Sequence, residues 1–385
     1  MKKLLITSFI AQLFIVITIA QDYKLVWEDN FDHTVLNESK HWTVEVNGDG
    51  GGNNEMQYYR RENISIEQHA SGVNCLVINA RKESFGGKLV TSGRLVTRGK
   101  VSCKYGKIEA RIKLPSTANG LWPAFWMMGE DYSSVGWPKC GEIDILEMGN
   151  SNGIRNGTQD RYFNGACHWG ESWNGGSYPN YAKATTNPYS LQDDFHLYTL
   201  IWDATVIKMY LDLDKYPNKA PYYEMTINGP NENNNPSRYF HKPFSILLNL
   251  AVGGNFTGIT GNSNLSKITA LPADGSNVKM YVDYVRIYQK GIEGELYSGP
   301  ALNTGTNETT MPVTRVYPNP VNDILYLSDT DEIKTINIIT MTGQCIKSID
   351  LPTSELNVSN IIRGFYLLNI VYKNKMERTI NLIKN

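Results

Sequence analysis

The chain has 385 residues, a formal net charge of −1 and 19% charged residues. Such a balance gives no bulk electrostatic attraction to nucleic acid or an anionic membrane, so neither is expected as a partner. The length allows two domains, one with a sizeable core, and a load of 23 Tyr and 8 Trp exceeds what strand packing alone requires.

The first twenty residues read as an address. Lys2 and Lys3 precede an apolar run over residues 4–19, and Thr18-Ile19-Ala20 supplies small residues for cleavage after Ala20. This is the pattern of a secretory signal peptide over residues 1–20. No later stretch approaches the roughly 20 apolar residues of a membrane-spanning helix, so the mature protein, starting near Gln21, is expected to be soluble.

Over residues 21–290 the pattern is of short apolar runs broken by Gly, Asn, Asp and Pro. Residues 76–78, 106–114, 198–211, 244–251 and 279–289 read as strands, and 105–113 alternates cleanly. No strong amphipathic helix interrupts them, which predicts an all-β sandwich. Residues 149–161 and 229–238 are turn-rich surface excursions. Residues 291–312 are rich in Gly, Thr, Asn and Pro and read as a linker. Short strands then resume at 324–327, 335–339 and 364–372, giving a small C-terminal β domain over 313–385.

Five cysteines, Cys75, Cys103, Cys140, Cys167 and Cys345, are too sparse for a disulfide scaffold, and their odd count leaves at least one free thiol. Cys140 and Cys167 are the candidate pair. No His/Cys cluster has zinc spacing.

The stretch with the most chemistry is Glu142-Ile143-Asp144-Ile145-Leu146-Glu147. Glu142 and Asp144 alternate with Ile143 and Ile145, as in a half-buried strand. Glu147 then falls in phase with the isoleucines and would point into the core, where an unpaired carboxylate costs several kcal/mol or more. A β-bulge near Ile145-Leu146 returns Glu147 to the acidic face. Two carboxylates on one face suit glycoside hydrolysis, one attacking the anomeric carbon and the other protonating the leaving oxygen. Retaining enzymes need the two carboxyl groups about 5–5.5 Å apart. Five strand steps alone would separate the Cα atoms by roughly 15 Å, and the bulge shortens that span. Asp144 between them would help hold the two pKa values apart.

Aromatic and amide groups fit the same reading. Trp122, Trp126 and Trp137 are candidates to stack on sugar rings, with Phe125 and Met127 of the same run assigned to the core. Asn54, after the glycines at 50–52, offers amide hydrogen bonds, and His168 follows the acidic strand closely.

Residues 23–289 resemble glycoside hydrolase family 16, and within it the laminarinase-like endo-β-1,3-glucanases. The matching segments, in order, are VWEDNFD, GGNNEMQYY, YGKIEARIKLP, GLWPAFWMMG, WPKCGEIDILEMGN, DFHLYTLIWD, ILLNLAVGGNF and MYVDYVRIYQ. The resemblance implies a jelly-roll sandwich with a cleft on a concave face, and hydrolysis with retention. It implies Glu142 as nucleophile, Glu147 as acid/base and Asp144 as assisting carboxylate. Trp122, Trp126, Asn54, His168 and Trp137 match positions that contact sugar. The bulged spacing Glu-x-Asp-x-x-Glu separates the chain from lichenase-like members. It is shared with agarases, porphyranases and carrageenases, but GGNNEMQYY with GLWPAFWM favours a glucan. A related hydrolase or transglycosylase on another algal or plant polysaccharide, such as agar, carrageenan or porphyran, and a non-catalytic glycan-binding protein on the same sandwich, are the alternatives.

No cofactor is expected for the chemistry. Many members hold a structural calcium with the aspartate matching Asp283 and an N-terminal Asp-Glu-Phe, where this chain reads Asp29-Asn30-Phe31. An amide oxygen can still serve a hard cation, so Asp283 is the candidate calcium ligand. The C-terminal segments at 317–323, 342–344 and 364–368 resemble the type IX secretion sorting domain of Bacteroidetes. That resemblance implies the secretion machinery as partner and an extracellular or cell-surface location. The enzyme is expected to be a monomer.

Overall fold

The computed structural model describes residues 22–173, 175–302, 314, 316–327, 330–373 and 377–385. The signal-peptide reading at 1–20 and the linker reading at 303–312 lie outside the described residues. The chain divides into two compact units, residues 1–302 and 303–385.

The first unit is a sandwich of a nine-stranded and a ten-stranded sheet. In the nine-stranded sheet, seven strands form a continuous path. They are β1 (Thr43–Val44), β2 (Arg94–Val96), β3 (Leu121–Gly129), β4 (Glu142–Met148), β5 (Tyr162–His168), β6 (Asn180–Thr186) and β7 (Phe244–Val252). Their spatial order is β6-β5-β4-β3-β7-β2-β1. The antiparallel ladders between β3 and β4, β4 and β5, and β3 and β7 place the acidic strand inside the sheet. In the ten-stranded sheet, Gly106–Lys113 lies between His196–Trp202 and Val278–Gln289.

Period-2 alternation builds the core between the sheets. From β3, Leu121, Phe125 and Met127 point inward, as expected for the last two. From β4, Ile143, Ile145, Leu146 and Met148 do so. They meet Ile108, Ala110, Ile112, Leu200, Val282, Val285 and Ile287 of the facing sheet. A second, smaller apolar cluster lies on the other face of the nine-stranded sheet. It comprises Val96, Ala124, Trp126, Met128, Cys140 and Leu247, with Trp137 packed against it.

These two clusters explain why Cys140 and Cys167 do not pair. Cys167 belongs to the core and Cys140 to the opposite face of the sheet. All five thiols are free, four of them buried and Cys345 exposed. The linker reading is also corrected at its start. Leu296–Ser298 forms a strand on Ser102–Lys104, which in turn pairs with the start of β7. Tyr297 packs against the core, and Gln289 donates to the carbonyls of Lys104, Tyr105 and Leu296. Apolar side chains within a polar stretch were the cue.

The second unit has a three-stranded and a four-stranded sheet. Its own core gathers Val321, Leu325, Ile336, Ile338, Leu368, Ile370 and Tyr372.

The N-terminal strand of the first unit, Lys24–Asp29, ends on a buried carboxylate. Asp29 Oδ1 accepts from the Phe31 amide at 3.1 Å and contacts His33 Nε2 at 3.0 Å. Its Oδ2 takes His41 Nδ1 and Trp42 Nε1, both at 2.9 Å. Burial works against the charged form, but the donors from His41 and Trp42 outweigh it and hold the carboxyl below its usual range. A carboxylate with a lowered folded pKa contributes stability above its unfolded value of about 3.9 and loses it as pH falls. D29N should therefore lower Tm at pH 7, with a cost of about 1–3 kcal/mol from mismatched buried donors. In thermal scans the gap to the parent should narrow below about pH 4. A gap constant from pH 7 to pH 3 would count against the charged network.

Candidate active site

Register decides which side chains share the outer face of the nine-stranded sheet. Between β3 and β4, Trp126 pairs with Asp144 but Phe125 pairs with Leu146, so Ile145 is the extra residue. Between β4 and β5, Asp144 pairs with Ala166 and Glu147 with Asn164, three steps on one strand against two on the other. The phase break anticipated at Ile145-Leu146 is thus a bulge. Both apolar residues enter the core, and Glu142, Asp144 and Glu147 stand together on the outer face. Glycines close both ends of the strand. A Cβ on Gly149 (φ 101) would lie 2.0 Å from the Leu121 carbonyl oxygen, and one on Gly141 (φ 76) 2.9 Å from the Phe244 ring.

Each glutamate accepts a hydrogen bond from an indole. Trp137 Nε1 donates to Glu142 Oε2 and Trp122 Nε1 to Glu147 Oε1, both at 3.0 Å. His168, paired with Glu142 across the ladder, brings Nε2 to 3.3 Å from Asp144 Oδ2. Donor atoms of Glu142, Asp144 and His168 lie within 4.8 Å of one another. Trp122, Trp137 and His168 therefore converge on the acids.

Trp126 and Asn54 sit one layer away. Trp126 is 9% exposed on the same face, and its Nε1 donates to Asn249 Oδ1 at 2.7 Å. Asn54 is exposed and donates to Asn255 Oδ1 at 3.0 Å, on the loop that follows β7. Phe256 of that loop stacks on Trp122, centroids 4.7 Å apart.

Several groups around the site carried little signal in the sequence. Asn249 Nδ2 donates to the Tyr59 hydroxyl at 3.3 Å, and Tyr59 donates to Glu55 Oε2 at 2.9 Å. Gln57 Nε2 donates to the same oxygen at 2.6 Å. Arg94 pairs with Glu45 at 2.8 Å and holds its guanidinium 4.9 Å from the Trp126 ring centroid. On the far side of β4, Tyr178 packs edge-on against Trp137 at 4.6 Å and lies 5.6 Å from His168. Asn249 and Phe256 stand in the ILLNLAVGGNF segment, where a polar residue in an apolar run was the available cue. Tyr178 sits in a generic Gly/Ser loop and gave none.

Electrostatically the site is a crowd of acids. Burial, then the neighbouring Asp144, pushes Glu142 up to about 8, while His168, the Trp137 N–H and Arg94 pull the other way. Burial, then Asp144, raises Glu147 well above the usual carboxylate range, against His168 and the Trp122 N–H. Burial raises Asp144 as well. Such a cluster loses its protons as a unit rather than group by group. It can therefore offer one ionised and one protonated carboxyl near neutral pH.

Asp283, the candidate calcium ligand, is already matched by a cation. Its Oδ2 lies 2.5 Å from Arg111 Nη1 across the ten-stranded sheet. Asp29 is filled by the four donors described above. Among the described residues, the one carboxylate–histidine group with metal-like spacing is Glu142, Asp144 and His168, which is the acid cluster itself. The residues at Asp283 do not fit a calcium ion.

A raised folded pKa makes a carboxylate favour folding below its unfolded value, and that contribution is lost as pH rises through the folded value. For Glu142 the window runs from about 4.5 to about 8. E142Q should then raise Tm at pH 8 by several degrees, at about 2–4 °C per kcal/mol. The gain should shrink toward pH 4.5, and calorimetry at four pH values would test it.

Residues 51–244 match the family described as glycosyl hydrolases family 16. Residues 315–385 match the secretion system C-terminal sorting domain. The chain is 36% identical to a β-glucanase of Rhodothermus marinus, covering 70% of this chain and 86% of that protein. It is 38% identical to the clotting factor G alpha subunit of Tachypleus tridentatus, covering 69% of this chain but only 34% of that longer protein. Among solved structures, it is similar to a mixed-linkage glucan enzyme of Bacteroides ovatus in complex with its product. That match has 38% identity, a TM-score of 0.59, and covers 68% of this chain and 99% of the other.

Proposed function

The chain belongs to glycosyl hydrolase family 16, and from that premise we propose that it is an exported endo-glucanase. It cuts β-1,3-glucan or mixed β-1,3/1,4-glucan with retention of anomeric configuration. The observation that carries this reading is the bulged strand, with Glu142 and Glu147 on one face and an indole N–H on each.

The ionised Glu142 carboxylate attacks the anomeric carbon while Glu147 gives its proton to the leaving glycosidic oxygen. A covalent glycosyl–Glu142 ester forms, and the leaving chain departs with that proton. Glu147, now a carboxylate, takes a proton from water, and the resulting nucleophile returns Glu142 to its starting state. Burial and Asp144 favour a proton on both glutamates and an indole N–H serves each, so the support for this division comes from Arg94, which favours charge on Glu142. Asp144, between the two and against His168, keeps the second proton nearby. Trp122 and Trp126 supply stacking surface and Asn54 an amide at the rim. No cofactor enters the cycle. The sorting domain supports export to the exterior or cell surface, with a cleaved leader at residues 1–20.

E142Q should lower kcat on laminarin by about a thousandfold or more, and a loss below about tenfold would sink its nucleophile role. E147A should lose as much on glucan, yet stay within about tenfold of the parent on an aryl glycoside whose leaving group needs no proton. Equal losses on both would reassign Glu147. The first product seen by proton NMR should be the β-anomer, and agarose and carrageenan should yield nothing. A chain ending at Leu302, which keeps the Leu296–Ser298 strand, should retain the parent kcat.

A further inference from the structure

We infer that Tyr222 is a positioning residue for the acid pair: its hydroxyl, reaching across from the facing sheet, fixes the bulge that separates Glu142 from Glu147. The inference rests on the catalytic reading above and deepens it.

Ile145 has no paired residue on either neighbouring strand. It lies 0% exposed between the sheets, where no solvent can satisfy its backbone. Its carbonyl oxygen accepts a hydrogen bond from the Tyr222 hydroxyl. Tyr222 stands immediately before the strand Tyr223–Thr226 of the ten-stranded sheet, with its backbone N–H on the Met209 carbonyl at 2.9 Å. The ring is therefore anchored in one sheet and bonded to the other.

Its seat is shaped for the reach. Phe163 of β5 packs edge-on against the ring, centroids 4.9 Å apart. Gly165, two residues on, leaves the space beside it: a Cβ there would lie 3.1 Å from Tyr222 Cε2 and 2.8 Å from the Met209 sulfur. Burial raises the phenol far above its ordinary range, so it remains a donor throughout the working pH range.

The consequence for chemistry follows from the order of residues. Glu142 and Asp144 precede the bulge and Glu147 follows it. The direction of the Ile145 peptide sets the offset between the two halves of the strand. A small change in that offset moves the proton donor relative to the nucleophile, and misplacement on the scale of an ångström costs rate rather than affinity.

The test is Y222F, with Y198F as comparator. Tyr198 is a buried tyrosine of the same sandwich whose hydroxyl has no hydrogen-bond partner. On laminarin, Y222F should lose about tenfold in kcat with KM unchanged within about twofold. A looser bulge also relieves the repulsion among the three acids, so the basic limb of the kcat/KM profile should move to lower pH. Y198F should keep the parent kcat and pH profile. Y222F with parent kcat and pH profile but a lower Tm would leave Tyr222 a structural residue and overturn the proposal. Equal losses in Y222F and Y198F would overturn it too, by showing general loosening of the core. If E142Q and E147A keep full activity in the same assay, the underlying catalytic reading fails, whatever Y222F does.

Discussion

Three carboxylates within six residues of one strand impose the constraint on which the fold depends. Each is costly to bury, and each raises the cost of its neighbours. Glu147 could not stay in phase with the isoleucines, so the strand takes an extra residue and the two neighbouring ladders absorb the register shift. On the outer face, fixed donors temper the crowding without removing it. Indole N–H groups are well suited to this, because they donate one hydrogen bond and never titrate. The remaining repulsion leaves protons on groups that would be fully ionised in water. A site that must both attack and protonate needs that imbalance.

Rigidity comes from the strands and reach comes from the loops. The acids, Trp122, Trp126 and His168 all stand on paired strands, which hold a functional group more tightly than loops do. Behind Trp126, the chain of Asn249, Tyr59, Glu55 and Gln57 ties the indole to the end of β7, where Gln57 accepts from the Val252 amide at 2.8 Å. Every donor in that chain has a partner, which gives a buried polar network its value in fixing one arrangement. On the opposite flank of β4, Tyr178 and Trp137 come from loops. The acids are thus flanked by strand-borne groups on one side and loop-borne groups on the other.

Much of this was legible in the sequence because period-2 patterning is strict. A carboxylate out of phase signals a bulge, and Phe125 and Met127 alternate with Trp122 and Trp126 unambiguously. What escaped depends on contacts between distant segments. Tyr222 and Ile145 are 77 residues apart, and nothing local to either marks their meeting. Arg94 reads as a strand residue until Trp126 is seen beside its guanidinium. Asp283 looked available for a metal because its partner, Arg111, lies 172 residues away. The linker was placed too early because one short strand, Leu296–Ser298, is held by pairing rather than by composition. Cys140 and Cys167 flank the same motif, yet the sheet itself stands between them.

That last arrangement bears on how the protein meets an oxidising exterior. Cys75, Cys103 and Cys140 are pushed up to about 12, chiefly by burial, and burial raises Cys167 well above the usual thiol range too, so none of the four carries appreciable thiolate. Without thiolate and without access, these sulfurs have no route to sulfenic acid or mixed disulfides. Cys345, in the second unit, is the exposed exception. The first unit therefore owes its covalent durability to walls of packing rather than to cross-links. Separation from the second unit would leave it with no sulfhydryl open to the medium.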